Sequence, residues 1–175
     1  MYRIAVIGAG QLGGRHLQGL VRIEPQSQYF VVDPSTEALQ TAHTRVQETG
    51  VALAPDQVIY LTTLSDLPSH LDYVVVATAA DVRLNVLKKL LAEKSVSNLL
   101  LEKVLFQHIK DYQAALDLFE MLPTKVWVNC PRRVFPIYQT VKNFFSGQQL
   151  LQFQASGGNW GLGCNSVHFL DLIGY

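Results

Sequence analysis

A short apolar run that ends in a glycine-rich turn, "YRIAVIGAGQLGG", constrains the fold of this chain more than any other feature. The β-branched run predicts a buried strand. Gly8, Gly10 and Gly13 follow it with the spacing GxGxxG. The first glycine permits a tight turn, the second lets backbone approach a pyrophosphate, and the third lets the next helix pack on the strand. Gln11 and Leu12 complete the turn, and the helix start would offer free N–H groups to phosphates.

An acidic residue follows at the spacing that a dinucleotide site requires. Asp33 stands twenty residues after Gly13, at the end of the second predicted strand, "QYFVVD". A carboxylate there accepts hydrogen bonds from the ribose hydroxyls of adenosine. It also repels a 2′-phosphate, and the following "PST" supplies no arginine to bind one, so NAD is favoured over NADP. The alternative is a plain glycine-rich turn with a helix-capping aspartate.

Strands and helices are predicted to alternate along the chain. The run "DYVVVAT" reads as the strongest buried strand and "DVRLNVLKKLLAEK" as the clearest amphipathic helix, while "SNLLLEK" and "KVWVNC" are further strands. The first helix is expected to carry Leu12, His16, Leu17 and Leu20 on one face, and Ser35 is expected to cap the second. This alternation predicts an α/β fold with a doubly wound parallel sheet, the Rossmann fold.

The sequence pattern changes near Cys130, and this change predicts a domain boundary. We expect residues 1–128 to form the dinucleotide-binding domain and residues 129–175 to be the truncated start of an α/β second domain. Within the second part, "PRRVFPIYQTVKNFFSG" predicts a helix entered through prolines, and "QLLQFQASGGNW" a strand that leads into a glycine-rich loop.

Two predicted strand ends place candidate ligand-binding residues at one edge of the sheet, because ligands of such folds bind beyond the carboxyl ends of the strands. Thr78 follows one of these strands and is a candidate cofactor contact, with Asp81 as the cap of the next helix. Glu102 and Lys103 end the other strand, where charges must point into the crevice or be paired. Lys103 could donate to a substrate oxygen, or the two residues could form a salt-bridged strand end.

Composition excludes several classes of partner. Lysine plus arginine equals aspartate plus glutamate at 14 each, so charge gives no reason to expect nucleic acid or an anionic membrane as partner. Cys130 and Cys164 fit no disulfide framework, and no apolar run approaches membrane length. We therefore expect a cytoplasmic protein with a small-molecule substrate.

These motifs together resemble the N-terminal half of the Gfo/Idh/MocA oxidoreductases, which include glucose–fructose oxidoreductase and inositol dehydrogenase. The resemblance rests on "IAVIGAGQLGGRHLQGL", "VVVATAADVRLNVLKKLLAEKSVSNLLLEKVL", "NCPRRVFPIY" and "GGNWGLGCNSVHFLDLI". It implies a Rossmann domain, followed by a substrate domain that also forms the oligomer interface, and so a homo-oligomer in full-length form.

The resemblance also implies site residues. The family's "EKP" motif matches Glu102, Lys103 and Val104, so the proline is missing, and both Glu102 and Lys103 are expected at the cofactor. The family's DxxxHxxD-like pattern matches Cys164, His168 and Asp171, so the first aspartate is missing, and the neighbouring Asn165 is a candidate substitute. Lys103 is then expected to hold the substrate oxygen and His168 to act as general base.

Several residues have competing interpretations. Arg132 and Arg133 are candidates for binding an anionic substrate group, or a solvated or structural pair. Trp160 either stacks on a sugar ring or belongs to the core. Asn165 and Asp171 are further substrate candidates. His168 is alternatively a core histidine, or a metal ligand with Cys164 and Cys130, although no paired cysteine spacing supports a metal.

Two functions of different classes follow. The first is an NAD-dependent oxidoreductase that transfers a hydride between nicotinamide and a sugar, amino-sugar or nucleotide-sugar group. The second is a dinucleotide-binding module without turnover. Lys103 and His168 favour the first function, and Cys164 in place of an aspartate favours the second.

Overall fold

The computed structural model describes residues 1–148 and 152–175, which form two compact units, Met1–Val128 and Asn129–Tyr175. The first unit is a six-stranded parallel sheet with the strand order β3-β2-β1-β4-β5-β6 and helices in the connections. This order is that of a Rossmann fold, so the predicted fold class is confirmed. Its strands are β1 Arg3–Ile7, β2 Gln28–Val32, β3 Val58–Leu61, β4 His70–Val76, β5 Ser95–Leu101 and β6 Lys125–Val128, and its helices are α1 Gln11–Ile23, α2 Thr36–Gln47, α3 Ala80–Glu93 and α4 Ile109–Glu120.

The register of the sheet brings the predicted site residues to one edge. Ile7, the last residue of β1, lies beside Val32 of β2 and Val76 of β4. Val76 in turn lies beside Leu101 of β5. The residues that follow these four strand ends are therefore neighbours at the carboxyl edge of the sheet, where dinucleotides bind in folds of this kind.

The sheet buries apolar side chains on both faces, which explains its nearly continuous apolar strands. In β1, Ala5 and Ile7 point to one face while Ile4 and Val6 point to the other. The first face packs on α3 with Leu87 and Leu90, and the second packs on α1 and α2 with residues including Leu17, Val21, Leu39 and Val46.

Two helix starts test local predictions. Ser35 caps α2, since its hydroxyl accepts the N–H of Ala38 at 3.2 Å, as predicted. Asp81 was expected to cap α3, but this is wrong. The helix begins one residue earlier, at Ala80, with the extended residue Ala79 as its N-cap. Asp81 therefore lies in the first turn, where its Oδ1 accepts the N–H of Val82.

The buried face of α1 differs from the predicted face. The buried residues include Leu17, Gln18 and Val21, whereas Leu12 is 50% exposed. The face is rotated because Gly13 and Gly14, which have no side chains, form the contact surface of the first turn. Leu12 is thereby left at the rim of the sheet edge.

The second unit is small and helical in its described part. It contains a 3₁₀ turn at Pro131–Val134, α5 at Pro136–Phe144 and α6 at Leu162–Ile173. The helix predicted to be entered through prolines is present as that turn and α5, with a proline at the start of each. The strand predicted from "QLLQFQ" falls partly on residues 149–151, outside the described residues, and residues 152–157 are not a strand.

None of the helices in residues 1–148 and 152–175 is both long enough and apolar enough to cross a membrane.

Candidate functional site

The glycine-rich turn is built by close backbone contacts. Gly8 has a φ of +94°, and a Cβ there would lie 2.9 Å from the backbone nitrogen of Thr78. A Cβ on Gly13 would lie 1.7 Å from the carbonyl oxygen of Gly8. No side chain fits at either position, so α1 packs directly against the end of β1, as the spacing of the glycines predicted.

The segment between the glycine-rich turn and the start of α1 has the open space and the N–H donors that a diphosphate needs. No described atom lies within 4 Å of the position that a Cβ on Gly10 would occupy. Gly10 is the N-cap of α1, and as a glycine it has no side chain that could cap the helix. The first N–H groups of the helix therefore receive no side-chain cap from this position, and they lie at the positive end of a 13-residue helix dipole. Gln11, the first residue of α1, accepts a hydrogen bond from Arg45 at 2.8 Å.

Asp33 is bonded to the glycine-rich turn as well as to its own loop. Its Oδ2 accepts the N–H of Ala9 at 2.8 Å, and its Oδ1 accepts the N–H of Ser35 at 2.9 Å. Each carboxylate oxygen can accept a second hydrogen bond. Asp33 therefore has acceptor capacity left for ribose hydroxyls while it holds the turn in place, a second role that sequence spacing did not predict.

A cavity of about 620 Å³ opens at the carboxyl ends of β4 and β5. We call it the crevice. Four of the predicted cofactor residues line it: Leu12, Thr78, Glu102 and Lys103. The Oγ1 atom of Thr78 is buried, and no described residue offers it a hydrogen bond. The peptide bond between Lys103 and Val104 is cis.

Arg83 binds the backbone of segments that line the crevice, and sequence reasoning did not identify this residue. Its guanidinium donates to the carbonyl oxygens of Val104 at 2.7 Å and Leu105 at 2.9 Å, and also to those of Thr78 and Glu102. The residue is only 2% exposed. Burial lowers the pKa of Arg83, while the charge of Glu102 raises it. A signal was present, because Arg83 precedes the buried Leu87 and Leu90 at the spacing of one helical face.

Glu102 is buried and bonded to two neighbours. Its Oε1 lies 2.7 Å from Nε2 of His16 on α1, and its Oε2 accepts the N–H of Lys103 at 3.2 Å. The Glu102 side chain is 3% exposed and that of His16 is 21% exposed. Glu102 therefore contacts both His16 and the backbone N–H of Lys103.

The second unit has its own cavity, of about 410 Å³. Three of the predicted substrate residues line it, namely Arg132, Trp160 and Asn165, together with Ser156, Gly157 and Phe169. The Arg132 guanidinium lies 4.4 Å from the ring centre of Phe169, and Trp160 packs edge-on against the same ring. The Asn165 amide donates to the carbonyl oxygen of Trp160 at 2.6 Å. The ring of Phe169 thus contacts both Arg132 and Trp160.

Arg133 and Asp171, the other two predicted substrate residues, bind each other. Nε of Arg133 donates to Oδ2 of Asp171 at 2.7 Å, and Nη2 of the same arginine lies 2.6 Å from Oδ1. The hydrogen bond from the arginine to Asp171 raises the pKa of Arg133. This two-point ion pair joins the 3₁₀ turn to α6.

The two predicted catalytic residues belong to different units. Lys103 lies in the first unit, at the crevice, and His168 lies in the second, buried on α6. Cys164, one turn before His168, is exposed, and its Sγ lies 3.3 Å from the carbonyl oxygen of Gly161. Among the described residues, no three histidine, cysteine, aspartate or glutamate side chains are placed to hold a metal ion.

Solved structures with the same fold are distant in sequence. A WlbA dehydrogenase from Thermus thermophilus, in complex with NAD and UDP-GlcNAcA, is 20% identical with a TM-score of 0.70, over 99% of this chain and 62% of that one. UDP-N-acetylglucosamine 3-dehydrogenase from Acidithiobacillus ferrooxidans is 18% identical with a TM-score of 0.64, over 98% and 55%. Scyllo-inositol dehydrogenase from Lactobacillus casei is 19% identical with a TM-score of 0.62, over 83% and 41%.

This chain therefore spans between 41% and 62% of the length of these three relatives. A comparison with curated protein sequences gave no match. The family model for the oxidoreductase family with an NAD-binding Rossmann fold, Gfo/Idh/MocA, matches residues 2–130. That range contains the whole first unit except Met1, with its glycine-rich turn, Asp33 and the crevice. The chain belongs to the Gfo/Idh/MocA family of oxidoreductases through its NAD-binding Rossmann domain.

Proposed function

We propose that this protein is an NAD-dependent oxidoreductase that transfers a hydride between nicotinamide and a hydroxyl or carbonyl group of a sugar, amino sugar or nucleotide sugar. The observation that carries the proposal is the continuous edge formed by the glycine-rich turn, Asp33 and the crevice. A diphosphate binds at the start of α1, the adenosine ribose binds Asp33, and the nicotinamide half lies in the crevice.

The chain's own residues divide the work along this edge. The open position at Gly10 and the uncapped start of α1 bind the diphosphate. Thr78 lines the crevice and contacts the nicotinamide half there. Bound NAD supplies the hydride chemistry, and the protein supplies orientation and proton management. Titration of NAD into the full chain by calorimetry tests this proposal, and absence of binding would contradict it.

Replacing Asp33 with serine is expected to lower NAD affinity by about 10- to 100-fold, since hydrogen bonds to a charged group contribute roughly 1.5–3 kcal/mol. The ratio of NADP to NAD affinity should rise, because the repulsion of a 2′-phosphate is removed. Calorimetric titration with both cofactors measures this. Asp56→Ser is the matched control, because Asp56 is exposed in the loop before β3, and it should leave both affinities unchanged. An unchanged cofactor ratio in Asp33→Ser would contradict the assignment.

The catalytic roles follow from the resemblance and from the chemistry of the side chains. Lys103 at the crevice holds the reacting substrate oxygen and stabilises the negative charge that develops on it. His168 takes the hydroxyl proton as general base, since a histidine exchanges protons near neutral pH. Residues 129–175 belong to the substrate domain, and the cavity lined by Arg132, Trp160 and Asn165 receives part of the substrate.

Replacing His168 with alanine is expected to lower turnover by about 10²–10⁴-fold, the usual contribution of a general base. The affinity for NAD should change by less than about twofold, because the cofactor residues lie elsewhere in the chain. Nicotinamide absorbance with a panel of sugars and nucleotide sugars measures the first quantity, and calorimetry the second. His70→Ala is a control, since its side chain is 46% exposed. Unchanged turnover in His168→Ala would contradict the role.

A dinucleotide-binding module without turnover is the second candidate function. Cys164 favours it, because the resemblance places an aspartate at that position. A chain that binds NAD tightly, but shows no nicotinamide absorbance change with any sugar or nucleotide sugar, would support the module. Turnover that Cys164→Asp increases would support the enzyme.

A further inference from the structure

We propose that His16 is a positioning residue: through the Glu102 carboxylate, it holds the strand end that carries Lys103 in register with the phosphate-binding helix. The inference rests on the proposed function, in which NAD spans this edge. It assigns a role to His16, which does not itself line the crevice but contacts Glu102, which does. The contact joins α1 to the end of β5 across 86 positions of the sequence.

The burial of Glu102 explains why this contact matters. A carboxylate that is 3% exposed is costly unless it is paired or hydrogen-bonded. Nε2 of His16 lies 2.7 Å from Oε1 of Glu102, so the imidazole ring makes a hydrogen bond with a buried carboxyl group. Nε2, and not the other ring nitrogen, makes it.

The same carboxylate sets the backbone of Lys103. Its second oxygen accepts the Lys103 N–H at 3.2 Å. Arg83 on α3 binds the same segment. Its guanidinium donates hydrogen bonds to the carbonyl oxygens of Glu102 and Val104, the residues on either side of Lys103. Arg83 therefore fixes the segment to α3, while His16 fixes it to α1.

The two attachments have different consequences for a bound dinucleotide. The start of α1 locates the diphosphate, and Lys103 and Thr78 locate the nicotinamide half. The His16–Glu102 contact connects these two locations directly. Its loss should weaken binding of the nicotinamide half and leave binding of the adenosine diphosphate half unchanged. A residue that served stability alone would not separate the two halves.

Two substitutions at His16 form a matched pair. In His16→Gln the side-chain amide nitrogen can occupy the place of Nε2, whereas in His16→Asn it can occupy only the place of Nδ1. Both side chains are polar and uncharged, yet only the first can reach Glu102. Affinities for NAD and for ADP are measured by calorimetry on the full chain. The chemical shift of the Lys103 amide is followed by ¹⁵N–¹H NMR.

His16→Asn is expected to bind NAD about tenfold more weakly, the effect of one hydrogen bond, with ADP affinity within about twofold of the original chain. The Lys103 amide resonance should move. His16→Gln should restore NAD affinity to within about threefold and return that resonance towards its original position. His70→Asn, an exposed histidine outside the site, should change none of these quantities.

Equal losses of NAD and ADP affinity, unchanged NAD affinity in His16→Asn, or failure of His16→Gln to restore it would overturn the inference. If His16→Asn does not fold, Glu102→Gln is tested in its place. It should likewise lower the affinity for NAD and leave the affinity for ADP unchanged, and an equal loss of both affinities would overturn the inference. Failure of the original chain to bind NAD contradicts the proposed function instead, so the two failures are distinguishable.

Discussion

Replacing Arg83 with leucine is expected to lower the free energy of unfolding of the first unit by about 3–5 kcal/mol. The guanidinium donates to four carbonyl oxygens, and each buried acceptor that loses its donor costs roughly 1–3 kcal/mol before water or rearrangement compensates. The substitution also removes the positive charge next to the buried Glu102, a further cost. Urea unfolding followed by circular dichroism measures the change.

Lys88→Leu is the matched control, because it makes a similar replacement on the exposed side of the same helix. It should change the free energy of unfolding by less than about 0.5 kcal/mol, as surface substitutions usually do. A loss below about 1 kcal/mol in Arg83→Leu would show that the segment after β5 holds its conformation without the guanidinium.

Replacing Gly13 with alanine is expected to destabilise the first unit by about 3 kcal/mol or more and to abolish measurable NAD binding. The new Cβ would lie 1.7 Å from the carbonyl oxygen of Gly8, and the atom in its way is backbone, which cannot rotate aside. Overpacking in a core usually costs about 1–3 kcal/mol, and here α1 must shift away from the turn it supports. Urea unfolding and NAD calorimetry measure both effects.

Gly19→Ala is the control on the same helix, since no described atom lies within 4 Å of its Cβ position. It should be neutral or stabilise the protein by up to about 1 kcal/mol, through the helix propensity of alanine. Gly10→Ala should leave the free energy of unfolding unchanged but weaken NAD binding, because the new methyl group would enter the open space in which the diphosphate is expected to bind. Tight NAD binding by Gly13→Ala would contradict the role assigned to this turn.

Local patterns predicted the features of this protein that depend on residues close in sequence. The alternation of apolar strands and amphipathic helices predicted the parallel sheet, and Ser35 was identified as a helix cap from its position alone. The assignment of Asp81 as a cap failed, because the exact residue at which a helix begins depends on the loop that enters it. Leu12 was expected on the buried face of α1, but two glycines rotate that face.

Contacts between distant residues could not be predicted in the same way. The spacing of Asp33 after the glycines indicated a ribose contact, yet its bond to Ala9 depends on the register of β1 and β2. The spacing of Arg83 with Leu87 and Leu90 indicates the buried face of α3, but the carbonyl oxygens that it binds are fixed only when the chain after β5 is folded against it. Arg133 and Asp171 were both candidates for substrate binding, and only the fold of the second unit shows that they pair.

The sequence by itself determined the Rossmann topology, the glycine-rich turn and the candidate cofactor edge, because glycine spacing, strand polarity and helix periodicity act over a few residues. Only the tertiary structure decided the partners of the buried polar groups at that edge: His16 for the Glu102 carboxyl group, and Arg83 for the carbonyl oxygens around Lys103. The physical reason is that a buried charge or carbonyl needs a partner, and any element of the fold can supply it.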